Sequence, residues 1–431
     1  MSLALQPGAE ATRPRRQKES PTLIDLFAGC GGLSLGLEMS GFRPIFVSEL
    51  NPEAMESYLM NRRQEHPALE TPRGKTYDIF DVTGDASELE GFVSYLRSVL
   101  SVRDVDLVAG GPPCQGYSGI GHRRTFTELT KHDIPSNHLY REMAKFVDAV
   151  RPKLFLFENV KGLLSSRWTP DGRPGEIWAD VKATFGSLKG YEMCAQLVQA
   201  KSWRVPQNRP RVLLVGIRTD LGWRPALGRL ADGLLPEPDL APAPDPEDFL
   251  GDLLDRDYTR KSETIAYLLE ATTDVQRWFR QDRAGSVRGV GSPLSEQVYS
   301  THKPRIVAKF EYMLRNGGRI REMDQTKKFA QRVIPCRWGP SGPSITTTSL
   351  PDDYVHFSQP RIPTVREWAR FQTFPDWYQF AGKRTTGGRR RAGDPSTGNW
   401  TREVPKYTQI GNAVPVWLAR AVGAHFRELL Q

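Results

Sequence analysis

The stretch GGPPCQGYS, residues 110–118, sets a cysteine behind two prolines and inside a run of glycines. Cysteine most often serves as a small buried hydrophobe. A buried thiol gains little from Pro112 and Pro113, which stiffen the backbone and remove two amide donors. The stretch reads as a rigid loop that holds out one side chain, Cys114, and a thiolate is a strong nucleophile. Two further places carry reactive residue types beside apolar runs. KLFLFE ends in Glu158, followed by Asn159; a carboxyl group at the end of an apolar strand suits general-acid work. QNRPR (207–211) places Arg209 and Arg211 directly before the apolar run RVLLVGI, at the margin of the same region.

The elements that must position these residues follow from the hydrophobic pattern. TLIDLF (22–27), RPIFVSE (43–49), DVDLVA (104–109), KLFLFE (153–158), EMCAQLV (192–198) and RVLLVGI (211–217) predict strands. Several are apolar over consecutive residues, as strands covered on both faces should be. Helical patterns alternate with them. Asn51 suits an N-cap, Pro52 the first helical position and Glu53 the positive helix end. LYREMAKFVDAV (139–150) gathers Leu139, Met143, Phe146, Val147 and Val150 on one face. The alternation predicts an α/β fold with a doubly wound, mostly parallel sheet.

In such sheets ligands bind outside the carboxyl ends of the strands. Polar residues collect there: AGCGG after the first strand, Glu49 after the second, then Asp81 in YDIFDVT, the Cys114 loop, and Glu158 with Asn159. Glu49 is placed to accept hydrogen bonds from a ribose, and Asp81 to meet a base amine. The glycine loop would let backbone approach a ligand. It is not GxGxxG, because Ser34 stands where the last glycine belongs. That disfavours a dinucleotide and suits a cofactor without a pyrophosphate, such as S-adenosylmethionine.

The chain's 431 residues exceed one hydrophobic core, so two domains are expected. A net charge of +9 points to a polyanionic partner. Cys30, Cys114, Cys194 and Cys336 lie far apart, with no CxxC pair and no spacing suited to a metal, which fits a reducing compartment. No apolar run approaches the ~20 residues of a membrane span, and residues 1–20 read as a tail without a secretion signal. Prolines crowd residues 222–248, residues 250–360 lack a second strand–helix series, and 382–400 reads as a basic loop. The final helical pattern, with Leu418, Val422, Phe426 and Leu429 on one face, is expected to pack back on the first sheet.

DLFAGCGGLSLGLE, VSELN, GGPPCQGYS, FENVKGLL, QNRPR, RIPTVREWARFQTFPDWYQF (361–380) and QIGNAVP (409–415) stand in the order found in C5-cytosine DNA methyltransferases, and the chain resembles that family's bacterial restriction-modification type. The resemblance implies a Rossmann-like S-adenosylmethionine-dependent methyltransferase domain from 21–218 and 405–431, and a smaller irregular target-recognition domain over 219–404. It implies Cys114 as nucleophile at carbon 6 of a flipped-out cytosine, with Glu158 as the acid at N3. Arg211 would contact the cytosine carbonyl, supported by Arg209, and Asn159 would hold the Cys114 loop. Cofactor contacts carry over to Phe27, Ala28, Gly29, Gly31, Glu49, Asp81, Pro112, Asn412 and Ala413. DNA contacts fall on Gln115, Ser118, His122, Arg123 and Arg124, in a glycine-rich stretch suited to closing over DNA. Tyr117 stands where the family more often has phenylalanine, and Asn137 and His138 replace an arginine-containing segment and receive no role. Arg361, Arg366 and Glu367 match the motif that organises the recognition domain. The implied partners are double-stranded DNA and a cognate restriction endonuclease, without metal or membrane, for a monomer in the bacterial cytoplasm. Two other readings stand beside this one: a transfer-RNA cytosine methyltransferase, and an inactive DNA-binding regulator, against which the intact Cys114, Glu158 and Arg211 argue.

Overall fold

The structure, a computed structural model, describes residues 20–113, 132, 134–221, 233–239, 241–325, 331–348, 350–386 and 403–431. Seven strands form one sheet: β1 (Thr22–Leu26), β2 (Arg43–Ser48), β3 (Lys75–Thr76), β4 (Leu107–Gly110), β5 (Leu154–Val160), β6 (Tyr191–Gln199) and β7 (Pro210–Arg218). Their order is β3-β2-β1-β4-β5-β7-β6. The first five run parallel, and β7 inserts antiparallel between β5 and β6. All six expected strands are present. The added β3 has only two residues, too few for a periodic pattern to register.

Both faces of the sheet are covered over β1, β2, β4, β5 and β7, which explains their unbroken apolar runs, while the edge strand β6 is largely exposed. Ile24, Leu26, Val108, Phe155 and Phe157 point to one side, where Met143, Phe146 and Val147 of the helix Leu139–Val150 pack on them. Leu23, Leu107, Ala109, Leu154 and Leu156 point to the other. There they meet Leu33 and Leu37 of α1 (Gly32–Met39), with Leu418, Val422 and Phe426 of the final helix (Val416–Leu429). Helix α2 (Pro52–Met60) starts as the sequence predicts: Asn51 accepts the Ala54 amide, and Pro52 occupies the first turn.

A third core lies beside the sheet. It joins Trp368, Ala369 and Phe371 of the short helix Val365–Phe371 to Phe249, Phe279 and Tyr267 from the irregular region. The same cluster takes in Cys30 and Leu35 from the start of the chain and Tyr407, Ile410 and Val416 from its end. One apolar body thus draws on both spans that the sequence reading assigns to separate domains. Charges are buried within it in matched pairs. Asp252 sits between Arg280 and Arg370, at 2.7 and 2.5 Å, and Arg370 also pairs with Asp376 at 2.5 Å.

Candidate active site at the carboxyl edge of the sheet

Strand register brings the predicted residues to one line. Leu26 stands opposite both Ser48 and Gly110, Gly110 opposite Phe157, and Ser48 opposite Thr76. The next residues therefore lie at the same level: Phe27, Glu49 and Gly111 just past their strand ends, and Glu158 still within β5, opposite Leu213 of β7. Arg211 arrives from the antiparallel side, opposite Val160. Glu158 and Val160 share a face of β5, so Arg211 lies diagonal to Glu158 on that face.

Phe27 opens the loop after β1 with φ 58°, a left-handed conformation that is uncommon for a residue with a side chain. Gly29 follows with φ 56°, and the space a Cβ would take there is open. At the other glycines of the stretch, packing leaves no room for a side chain. A Cβ on Gly31 would fall 2.8–2.9 Å from Tyr58, Arg62 and Tyr378, and one on Gly32 or Gly36 would fall 2.5 Å from the carbonyl of Val414 or Val416. Packing therefore accounts for these three, and only Gly29 faces free space. Ser34, which breaks the dinucleotide pattern, donates from Oγ to the buried Asp25 carboxylate and lies 3.0 Å from the Tyr58 hydroxyl. Burial pushes the Asp25 carboxyl up to about 7.

Glu49 locks this loop to the sheet. Its Oε2 accepts the Gly29 amide and its Oε1 the Asn51 amide, both at 2.8 Å. Burial raises its carboxyl, opposed by the Asn51 and Gly29 amides. Each carboxylate oxygen can accept a second hydrogen bond, which leaves Glu49 able to meet a ribose. Leu50, next in sequence, is 68% exposed. Asp81 lies in the short helix Phe80–Thr83, where its Oδ2 accepts the Thr76 hydroxyl at 2.7 Å. The first carboxylate beyond β3 is Asp78, an additional candidate for the base-amine contact.

The reacting end of the edge is tightly built. Arg211 Nε lies 2.5 Å from Glu158 Oε1, with both side chains about nine-tenths buried. Glu158 Oε2 lies against Gly111, where a Cβ would come within 2.9 Å. Asn159 Nδ2 donates to the Pro112 carbonyl at 3.0 Å, so β5 pins the loop one residue before Pro113. Cys114, Gln115, Ser118, His122, Arg123 and Arg124 lie outside the described residues. Cys30, the other cysteine among the motifs, is buried, directs Sγ at the Gln409 carbonyl at 3.5 Å, and has its thiol pushed up to about 12 by burial. That is an inert structural thiol.

Arg209 takes a different place from Arg211. Its guanidinium donates to the carbonyls of Thr347, Gly411 and Ala413 at 3.0, 2.7 and 3.0 Å, joining three distant segments. Asn412, exposed, and Ala413, buried, thus stand at the carboxyl end of the helix Lys406–Asn412, whose last carbonyls Arg209 holds. Gln207 and Gln372 complete the knot. Gln207 donates to Phe371 O and Gln372 Oε1, and Gln372 donates to Ile410 O, at 2.7–2.8 Å. Their partners lie more than a hundred residues away for Gln207, so sequence reading passes them over. Arg361 forms a two-pronged pair with Glu367 at 2.6–2.7 Å, while Glu367 closes a capping box with Thr364. Burial of Glu367 is outweighed by Arg361 and neighbouring donors, which hold its carboxyl down at about 2.

Among the described residues no helix is long and apolar enough to cross a membrane. The model of the C-5 cytosine-specific DNA methylase family matches residues 22–428. The Type II methyltransferase M.DdeI of Desulfomicrobium norvegicum is 31% identical over 422 residues, covering 93% of this chain and 87% of the relative. M.XorII of Xanthomonas oryzae pv. oryzae is 30% identical over 433 residues, covering 95% and 85%. Among solved structures, a proposed DNA modification methyltransferase encoded within a prophage (E. coli) superposes with a TM-score of 0.64 at 20% identity, covering 95% of this chain and 99% of that one. That likeness places the sheet and its helices in the Rossmann-like methyltransferase fold.

Proposed function

The chain belongs to the C-5 cytosine-specific DNA methylase family and is a DNA cytosine-5 methyltransferase; from that premise we propose that it methylates carbon 5 of one cytosine, swung out of duplex DNA, through a covalent adduct with Cys114. Carbon 5 of cytosine is a weak nucleophile. Addition of the Cys114 thiolate to carbon 6 pushes the ring's electron pair toward carbon 5 and N3, and a proton held by Glu158 meets the charge at N3. S-adenosylmethionine, when bound, supplies an electrophilic methyl group. Carbon 5 takes that group as the S–CH3 bond breaks and S-adenosylhomocysteine is released; N3 returns its proton to Glu158, a base removes the carbon-5 proton, and the thiolate leaves carbon 6 to restore the ring. The target ring must leave the duplex, because its two faces are otherwise covered by stacked neighbours.

The observation that carries this reading is the Glu158–Arg211 contact, 2.5 Å long and largely buried beside the loop that leads into Cys114. A carboxyl group and a cation held side by side suit a ring carbonyl and its adjacent nitrogen. The methyl donor is assigned to the loop 27–31, with Glu49 for its ribose and Leu50 for an apolar face; Pro112 and the 412–413 turn border it. The open space at Gly29 and the exposed Leu50 fit a small ligand with apolar and polar parts. The cognate partners we assign are duplex DNA and, in the cell, a restriction endonuclease of the same specificity; we assign a monomer acting in the bacterial cytoplasm. Purified protein given methyl-tritiated S-adenosylmethionine should label plasmid DNA, and bisulfite sequencing should then locate one methylated cytosine in a fixed context. A duplex with 5-fluorocytosine at that position should trap a covalent complex that Cys114→Ala cannot form. Label in transfer RNA but not DNA, or turnover by Cys114→Ala, would overturn the proposal.

A further inference from the structure

The turn after the helix Val365–Phe371 reaches out of the recognition-domain core to the glycine loop. Its backbone is held from the recognition side: Asp376 N donates to Phe279 O at 2.8 Å, and Arg366 donates to Pro375 O and Tyr378 O at 3.2 and 2.9 Å. The Tyr378 side chain, fully buried, points the other way. Its hydroxyl donates to the Cys30 carbonyl at 2.5 Å and accepts from Arg62 Nη1 at 3.0 Å. Arg62 in turn donates to the Gly31 carbonyl at 3.3 Å and is held by Glu38 at 2.6 Å. Two successive carbonyls of the loop are thus fixed by side chains from outside it.

These bonds matter because of the loop's own chemistry. Gly29 and Gly31 both adopt left-handed conformations and bring no side chains to hold the path, so external hydrogen bonds choose the conformation. Neighbouring contacts make the same connection in parallel. Asn61 exchanges two hydrogen bonds with the Gln379 backbone, at 3.0 and 2.8 Å, and Ser57 Oγ accepts the Ala381 amide at 2.7 Å. Arg283, from the recognition region, stacks 4.0 Å over Trp377 and pairs with Glu65 at 2.8 Å.

We propose that Tyr378 is a positioning residue for the methyl donor: its hydroxyl, anchored by the recognition domain, fixes the Cys30–Gly31 peptide and with it the path of the glycine loop whose open side, at Gly29, faces the donor. This rests on the assignment of that loop to S-adenosylmethionine. Tyr378→Phe removes one oxygen and keeps the ring. Loss of one buried hydrogen bond to the loop should weaken donor binding about 3- to 10-fold. The full-length variant should show that rise in both the KM and the directly titrated Kd for S-adenosylmethionine. Its kcat at saturating donor and its KM for plasmid DNA should stay within about twofold of the parent. Arg62→Lys, which gives up the Gly31 contact and keeps the charge opposite Glu38, should shift the same two constants. Unchanged donor affinity in both variants overturns the proposal, and so does a parallel loss of kcat and DNA affinity. Should Tyr378→Phe fail to fold, Arg62→Lys decides alone by the same split. Failure of the parent enzyme to bind S-adenosylmethionine would instead overturn the assignment of the loop.

Discussion

Gly111→Ala is the smallest change that tests how the Glu158 carboxylate is held. The new methyl carbon would stand 2.9 Å from Glu158 Oε2, where ordinary contact begins near 3.4 Å, so the two must separate by about 0.5 Å. The carboxylate has little room to yield, because its other oxygen is fixed 2.5 Å from Arg211 and the pair is buried. Either the Arg211 contact lengthens, or the Gly111–Pro113 segment moves against its Asn159 tether. Misplacement of a reacting group by ~1 Å can slow catalysis ~100-fold, so half that displacement is expected to lower kcat about tenfold. The single close contact should change stability by no more than ~1 kcal/mol. The assay is single-turnover transfer of tritiated methyl groups to plasmid DNA at saturating donor, beside a denaturant melt. The control is the same change in a Glu158→Gln background. There the further loss should shrink, since neighbouring groups acting as a unit are not additive. A kcat within about twofold of the parent, or an equal loss in both backgrounds, would refute the idea that Gly111 exists to make room for Glu158.

Two further expectations follow from buried groups elsewhere. Asp25 ionises near 7 when folded, against 3.8 for the ordinary carboxyl, so the folded state binds its proton more tightly. Its contribution is therefore fully present below about pH 4 and is lost as the pH rises to about 7; Asp25→Asn should gain on the parent across that window, by up to ~4 kcal/mol. Urea unfolding of both proteins at pH 5 and pH 8 checks this, and a difference that does not widen with pH refutes it. Gly36→Ala drives a methyl group to 2.5 Å from Val416 O and 2.6 Å from Arg420 N, backbone atoms that cannot swing aside. Overpacking of this kind destabilises by ~1–3 kcal/mol, seen as an earlier urea midpoint; an unchanged midpoint would mean that the helix Val416–Leu429 slides freely.

Much of the sheet was legible because its residues face apolar surroundings on both sides, and an unbroken run such as LFLF records that directly. The Asn51–Pro52 start of α2 was legible for a similar reason: capping is a local event between residues three apart. The Glu158–Arg211 contact followed from two strand ends, once antiparallel β7 brought them diagonal. Arg209 illustrates the opposite case. It sits two residues from Arg211, yet its guanidinium serves carbonyls 138 to 204 residues away, and no local pattern encodes those partners. The glycines show the same limit. Gly29 and Gly36 look alike in sequence, but one faces open space and the other the backbone of a helix near the chain's far end. The short β3, and with it the choice between Asp78 and Asp81, was hidden by length alone.

The seating of Gly32 and Gly36 against the 414–420 segment has a consequence for how the polypeptide is made. Helix α1 leaves the ribosome early, and the helix that covers it comes some 380 residues later, which at 5–20 residues per second is roughly 20–75 s of synthesis. Through that interval Leu33 and Leu37 have the sheet but not the final helix to pack on, and the loop they carry lacks Gln409 and Tyr378. The nascent chain must wait in a partly open form, in which such long-range contacts close last. A product cut short before the final helix would therefore be an exposed, sticky fragment with an unfinished glycine loop, not a weaker enzyme. Conversely, two pieces divided between α1 and the final helix each hold half of one interface, a geometry from which activity could be rebuilt by fragment complementation.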